Sequence, residues 1–318
     1  MSEAARSIAV IGAGAVGGYY GAMLARAGRE VRFVCRPAQA DAIARDGLRL
    51  AMGGRVEVLR NVVATTDVAL ALRGAGMVLV CVKSTDTERS ARELAPHVAP
   101  GAIVLSLQNG VENAAMLARV LTAQTVVPAA VYVAAAAPEP GLVSHHGRGD
   151  LVIGALHGAP DPAPEATLQA VADLFAAAQV PTRIAPDVRI ELWSKLVVNC
   201  AYNAISALAQ ASYARLAALP DVVALQRRIV QEVIAVAQAD GIGLELEASL
   251  QAVQRIAAAM PDQLSSTAQD LARRKPSEID HLNGFVVRRG RALGIETPAN
   301  ATLHALVKLV EAGHGAPA

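Results

Sequence analysis

The residues Gly12-Ala13-Gly14-Ala15-Val16-Gly17 carry glycines at G-x-G-x-x-G spacing directly after the apolar run Ile8-Ala9-Val10-Ile11. The chemistry such a run suits is the holding of a pyrophosphate. Gly12 would permit a tight turn, Gly14 would let a phosphate approach the backbone, and Gly17 would bring a helix close to a sheet. Ala15 and Val16 would open that helix, where unpaired N–H groups favour negative charge. The spacing alone also occurs in flexible turns. Here a strand before it, a helix after it and a second strand beyond favour a dinucleotide cofactor.

The second strand ends Phe33-Val34-Cys35-Arg36. Sites for NAD place an acid about 20 residues after the first glycine, on the ribose 2′-hydroxyl. Arg36 stands there instead, and a guanidinium can pair with a 2′-phosphate in a fork, so NADPH/NADP+ is the expected cofactor. The plain alternative is a surface arginine. Lys83 and Asn109 close the apolar runs 77–82 and 102–107, at strand ends where a doubly wound sheet forms its ligand crevice. Asn109-Gly110 is equally a turn signal, and Lys83 equally a solvated loop lysine.

A second polar constellation lies in Trp193-Ser-Lys195-Leu-Val-Val-Asn199-Cys-Ala-Tyr-Asn203. On a helix, Lys195, Asn199 and Asn203 fall within about 80° of one another and form one stripe. Flanked by Leu196, Val197, Val198 and Cys200, the lysine must meet a carboxylate, a ligand or water, because an unpaired buried ammonium is costly. A narrow solvated face is an equal reading. Further on, Ser265, Ser266 and Ser277 read as helix-start residues and Glu278 as a first-turn acid that complements a helix dipole.

The elements that must position these residues follow from the apolar pattern. Strands are expected at Ser7–Ile11 and at 30–35, 77–82, 102–107, 126–133, 142–144 and 151–153, with helices at 17–27, 86–95 and 112–121 and a hairpin at Gly53-Gly54. This alternation predicts a doubly wound α/β sheet. Beyond Pro186-Asp187 the chain reads as helices at 188–203, 221–240, 247–260, 277–293 and 298–312. The expected domains are therefore an α/β domain, 1–187, and an all-α domain, 188–318. A chain of 318 residues is long enough for both.

Composition narrows the partners. A 53% hydrophobic and 18% charged chain is not a disordered one. A net charge of +1 gives no electrostatic case for nucleic acid or an anionic membrane, and 3% aromatics argue against base-stacking platforms. Cys35, Cys81 and Cys200 lie far apart, without metal-ligand spacing, and read as buried small hydrophobes in a reducing compartment. The longest uncharged apolar run, 126–137, contains Pro128 and is shorter than the roughly 20 residues of a membrane span. The N-terminal apolar stretch is broken by glycines and does not read as a signal peptide. A cytoplasmic protein without a metal centre is expected.

Taken in order, residues 12–17, Gln108-Asn109-Gly110, the Lys195–Asn199–Asn203 helix, Ser265-Ser266-x-x-Gln269-Asp270 and Ser277-Glu278-Ile279-Asp280 form a set that resembles the ketopantoate reductase (2-dehydropantoate 2-reductase) family, from residue 7 to about 312. The resemblance implies a Rossmann-type domain, a helical C-terminal domain and a cleft between them. It implies NADPH-dependent reduction of 2-dehydropantoate to (R)-pantoate, a step toward pantothenate and coenzyme A, by a monomer or homodimer acting on a small 2-oxo acid. Lys195 would be the general acid and Glu278 its acidic partner. Asn109, Asn199, Asn203 and Ser266 would contact substrate. Gly12, Gly14, Ala15, Val16, Gly17, Arg36, Lys83, Asn109 and Glu278 would contact cofactor. Gln263 stands where the family often carries Asn, and Pro276 precedes Ser277 where another residue is common. Two further readings stay open: a paralogous NADP-dependent reductase of another 2-oxo or 3-hydroxy acid, and a noncatalytic NADPH-binding sensor.

Overall fold

The computed structural model describes residues 7–314, in two compact units that divide after Val188. In the first, β1 (Ser7–Ile11) leads into α1 (Ala15–Arg26), β2 (Glu30–Val34) and α2 (Pro37–Asp46). The hairpin β3 (Leu48–Met52) and β4 (Arg55–Leu59) precedes β5 (Val62–Thr65), α3 (Val68–Leu72), β6 (Met77–Val80), α4 (Thr87–Leu94), β7 (Ile103–Ser106) and α5 (Asn113–Val120). Two long strands, β8 (Thr125–Ala136) and β9 (Leu142–Ile153), are followed by α6 (Glu165–Ala177) and β10 (Thr182–Ile184).

These strands form one ten-stranded mixed sheet in the order β4-β3-β9-β8-β7-β6-β1-β2-β5, with β10 on β9. From β8 across to β5 every pair is parallel, whereas β8–β9 and β3–β4 are antiparallel. The parallel strands are continuous apolar runs because both faces are covered. Alternate residues serve opposite faces: Ile8, Val10, Met77 and Leu79 pack with Tyr20, Phe33 and Phe175, while Ala9, Ile11, Val78 and Val80 pack with Leu94 and Leu117. Each such large side chain stabilises the unit by about 1.5–3 kcal/mol when fully buried.

The strands expected at 142–144 and 151–153 are one strand. β9 runs unbroken along β8, and register shifts between Tyr132 and Val133 and between Ala134 and Ala135 absorb the irregular stretch. Arg148, at φ 54°, sits in that stretch between Gly147 and Gly149. Its polar, glycine-rich sequence hides the alternation that a regular strand would show.

The second unit is helical throughout its described residues: α7 (Val188–Ala209), α8 (Tyr213–Ala217), α9 (Pro220–Ala239), α10 (Leu246–Ala259), α11 (Ser266–Ala272), α12 (Asn283–Leu293) and α13 (Pro298–Gly313). α7 is its hub. Trp193 meets Phe285 of α12 edge-on at 5.4 Å, and Gln226 of α9 donates to the Ala201 carbonyl at 3.2 Å. The Tyr202 hydroxyl donates to the Val253 carbonyl of α10 at 2.9 Å. Glu232 of α9 caps α13, accepting from the amides of Ala299 at 2.8 Å and Asn300 at 3.0 Å. The helix expected over 277–293 is interrupted: Leu282, at φ −111° and ψ −106°, separates a 3-10 turn (Ile279–His281) from α12. Among the described residues no helix is long and apolar enough to cross a membrane.

Candidate active site

In the first unit β1 and β6 lie side by side with Ile11 opposite Val80, flanked by β2 and β7. Chain order reverses around β1, the kind of switch point that opens a crevice beyond the strand carboxyl ends. Four candidates leave the sheet along this edge: the glycine loop after β1, Arg36 after β2, Lys83 after β6 and Asn109 after β7. The structure brings them together.

The glycines there have distinct geometries. Gly12 has φ 99°, and its N–H donates to the Val34 carbonyl at 2.9 Å. A Cβ on Gly17 would stand 2.1 Å from the Gly12 carbonyl oxygen, so α1 can approach the loop only without one. A Cβ on Gly14 would meet nothing within 4 Å. Gly14 is the exposed N-cap of α1, with no side-chain cap and no acid in the first turn. Ala15 and Val16 therefore open a helix whose first amides and dipole suit an anion, and the open backbone at Gly14 fits a diphosphate.

Arg36 is exposed at the N-cap of α2. One turn on, Gln39 donates to the Ala13 carbonyl at 3.0 Å and accepts from the Gly141 amide at 3.1 Å, bracing the glycine loop. No local signal points to Gln39, because its partners are 26 and 102 residues away.

Lys83 and Asn109 are half-buried, and their loops are held by one neutral network. The Asn109 carbonyl accepts from the Ser84 hydroxyl at 2.7 Å and from Asn113 Nδ2 at 2.6 Å. The Thr87 hydroxyl donates to Asn113 Oδ1 at 2.8 Å and accepts from Gln108 Nε2 at 2.7 Å, and Gln108 Nε2 also reaches the Val82 carbonyl at 3.1 Å. The β6 and β7 loops that bear the two candidates are thus fixed to one another. Burial pushes all three cysteine thiols up, Cys35 to about 11. Cys200 is fully buried, whereas Cys35 and Cys81 keep partial exposure.

In the second unit Lys195, Asn199 and Asn203 lie on α7; the first two are half-buried and Asn203 is buried. Ser265 stitches the start of α11 to this helix. Its hydroxyl donates to the Asn203 carbonyl at 3.1 Å and accepts from the Ala268 amide at 3.0 Å, while its own amide donates to Ser206 Oγ at 3.2 Å. Ser266, the next residue, is exposed. From the other side, the buried Asn283 donates to the Cys200 carbonyl at 3.3 Å and to Asn300 Oδ1 at 2.9 Å. With the Trp193–Phe285 contact, this seats the start of α12 on α7. Glu278, half-buried, immediately precedes the 3-10 turn that leads into α12. α7 thus carries a cation and two amides, the start of α11 packed on it carries hydroxyls, and the turn that leads into α12 carries a carboxylate. Among the described residues no cluster of His, Cys, Asp and Glu could hold a metal ion.

Residues 8–158 match the family model "Ketopantoate reductase PanE/ApbA", and residues 187–311 match "Ketopantoate reductase PanE/ApbA C terminal". A 2-dehydropantoate 2-reductase of Halobacterium salinarum is 36% identical over 308 residues, covering 96% of this chain and 98% of its own. A PanE/ApbA family ketopantoate reductase from Ralstonia eutropha, known from its crystal structure, is 50% identical, with a TM-score of 0.90 over 98% of this chain and all of its own. A D-mandelate dehydrogenase solved with NADH and anilino(oxo)acetate superimposes with a TM-score of 0.90 over 98% of this chain and all of its own at 21% identity, a likeness of fold alone.

Proposed function

The chain belongs to the ketopantoate reductase family of oxidoreductases, and from that premise we propose that it reduces 2-dehydropantoate to (R)-pantoate with NADPH, on the route to pantothenate and coenzyme A. What supports this most is the Lys195–Asn199–Asn203 stripe of α7, with the start of α11 at Ser265-Ser266 bonded to it and the start of α12, which Glu278 precedes by a single 3-10 turn, seated on it. The unit up to residue 187 serves as the cofactor domain and the helices from 188 onward as the substrate domain. Gly12, Gly14, Ala15, Val16 and Gly17 hold the pyrophosphate through backbone amides, and Arg36 takes the 2′-phosphate. Lys83 contacts the cofactor, and Asn109, on the nicotinamide side, also meets substrate.

When bound, the reduced nicotinamide supplies a hydride to the ketone carbon. Lys195 neutralises the charge that develops on the ketone oxygen and donates the proton that makes it a hydroxyl. Glu278 orients the ammonium and meets the cofactor. Asn199, Asn203 and Ser266 bind the carboxylate and hydroxyl of the substrate, since amides and hydroxyls both donate and accept.

Loss of NADPH absorbance with 2-dehydropantoate tests the reaction: turnover is expected, and none above background with NADPH binding intact overturns it. Lys195→Ala should lower kcat by about 10²–10⁴-fold while NADPH affinity stays near wild type. An unchanged kcat removes the assigned role. In Arg36→Ala the preference for NADPH over NADH should disappear, and a retained preference excludes the 2′-phosphate contact.

One feature favours a second reading, a paralogous reductase of another 2-oxo acid. The half-buried Gln263 directs its amide to the Leu264 carbonyl at 2.7 Å, just before the Ser265-Ser266 pair. A panel of 2-oxo acids separates the two by their kcat/KM values.

A further inference from the structure

We propose that Glu311, near the end of α13, is a positioning residue for Glu278. The inference rests on the reading that Glu278 belongs to the catalytic machinery. Glu311 Oε1 accepts from the Ser277 amide at 2.7 Å and from the Ser277 hydroxyl at 2.6 Å. That hydroxyl accepts in turn from the Ile279 amide at 3.2 Å. A single carboxylate therefore restrains the residues on both sides of Glu278.

The remaining contacts tighten the same segment. Glu311 Oε2 pairs with Lys308 Nζ at 2.9 Å, and that ammonium also reaches Asp280 Oδ2 at 2.9 Å. Asp280 Oδ1 meets His304 Nε2 at 2.7 Å. His304, Lys308 and Glu311 recur at four- and three-residue steps and so share one face of α13. Ser277, Ile279 and Asp280 are all tied, directly or in relay, to that face, and Glu278 lies between them.

The amides of Arg273, Arg274 and Lys275 close the end of α11, but Ser277 lies beyond that turn, outside any helix or strand. The Ser277 amide is only 3% exposed as a residue, so it needs an acceptor from elsewhere, and Glu311 supplies one. Charge-assisted bonds of this length are the strong ones, and the Glu311 side chain is 12% exposed rather than solvated. Hydrogen bonds from Ser277 and Lys308 hold the Glu311 carboxyl below its usual range although burial pulls the other way. It is therefore an ionised acceptor at neutral pH.

The test is a double-mutant cycle on the full chain with NADPH and 2-dehydropantoate. Glu311→Ala should lower kcat about tenfold or more through misplacement of Glu278, with the NADPH dissociation constant from fluorescence titration close to wild type. Glu311→Gln, which keeps an acceptor oxygen for Ser277, should recover most of the loss. Glu278→Ala/Glu311→Ala should be no slower than Glu278→Ala alone. Amide hydrogen exchange at residues 277–279 should rise in Glu311→Ala and not in Glu278→Ala. If Glu311→Ala does not fold, Ser277→Ala removes the hydroxyl relay alone and should show a smaller kcat loss that vanishes in the Glu278→Ala background. A wild-type kcat in the Glu311 variant beside a slow Glu278→Ala overturns the positioning role and leaves the functional reading standing, as do additive losses in the double variant. A Glu278→Ala enzyme of wild-type rate strikes the functional reading itself.

Discussion

At the sheet edge of the first unit, Ser84, Thr87, Gln108 and Asn113 hold one another through neutral amides and hydroxyls, each at most 5% exposed. In the helical unit, the segment from Ser277 to Asp280 is held by two carboxylates, an ammonium and an imidazole, with the Asp280 and Lys308 side chains 39% and 44% exposed. Both arrangements fix a loop that bears candidate chemistry. They differ in what breaking them costs. A buried neutral network leaves unsatisfied donors when cut, and neither salt nor mild acid touches it. A half-exposed charged one gives less per contact and responds to both.

The largest effect should come from the backbone that underlies the first arrangement. Gly17→Ala places a Cβ 2.1 Å from the Gly12 carbonyl oxygen, and about 3 kcal/mol or more of stability should be lost in urea unfolding. Gly14→Ala, with open space around its Cβ, should keep the wild-type midpoint. Equal midpoints for the two variants would mean that α1 does not rest on that contact.

Next in size is the neutral network. Asn113→Ala removes a donor to the Asn109 carbonyl and the acceptor of the Thr87 hydroxyl proton, which should cost about 1–3 kcal/mol, equally at low and high salt. A loss that shrinks with salt would erase the contrast between the two regions.

The smallest effect belongs to the charged segment. Asp280→Asn should cost less than about 1 kcal/mol, and less still in salt. Its sharper signature is pH. Burial pulls the Asp280 and Glu311 carboxyls up, but hydrogen bonds from His304 and Lys308, and from Ser277 and Lys308, hold both below their usual range. Depressed folded values mean stability that is complete above the ordinary carboxylate range, about pH 4–4.5, and is lost as pH falls through the folded values below it. Melting of Glu311→Gln should show a flatter acid limb than wild type. An unchanged limb would place the acid sensitivity elsewhere.

The same contrast explains what could be read in advance. β1, β6 and β7 announced themselves because strands covered on both faces must be apolar throughout. The glycine loop is legible because Gly12 takes a positive φ and Gly17 leaves no room for a Cβ. Strand β9 reads as two pieces in sequence because its glycines and histidines break the alternation, and residues 277–293 read as one helix because nothing in Asp280-His281-Leu282 signals the turn at Leu282. Gln39 and Glu311 carry no local signal, for a different reason. Their partners lie far along the chain, and a surface glutamine or a terminal-turn glutamate is ordinary by itself.

From the order of its residues alone, this chain determined an α/β half with a phosphate-suited turn, a helical half with a polar stripe, and membership of a family of reductases, because periodicity, turn sterics and motif order are local properties. Only the folded molecule decided which neutral groups lock the loops of Lys83 and Asn109, and that α13 grips the residues around Glu278. Hydrogen bonds between distant segments depend on distances that backbone topology sets, and no local pattern encodes them.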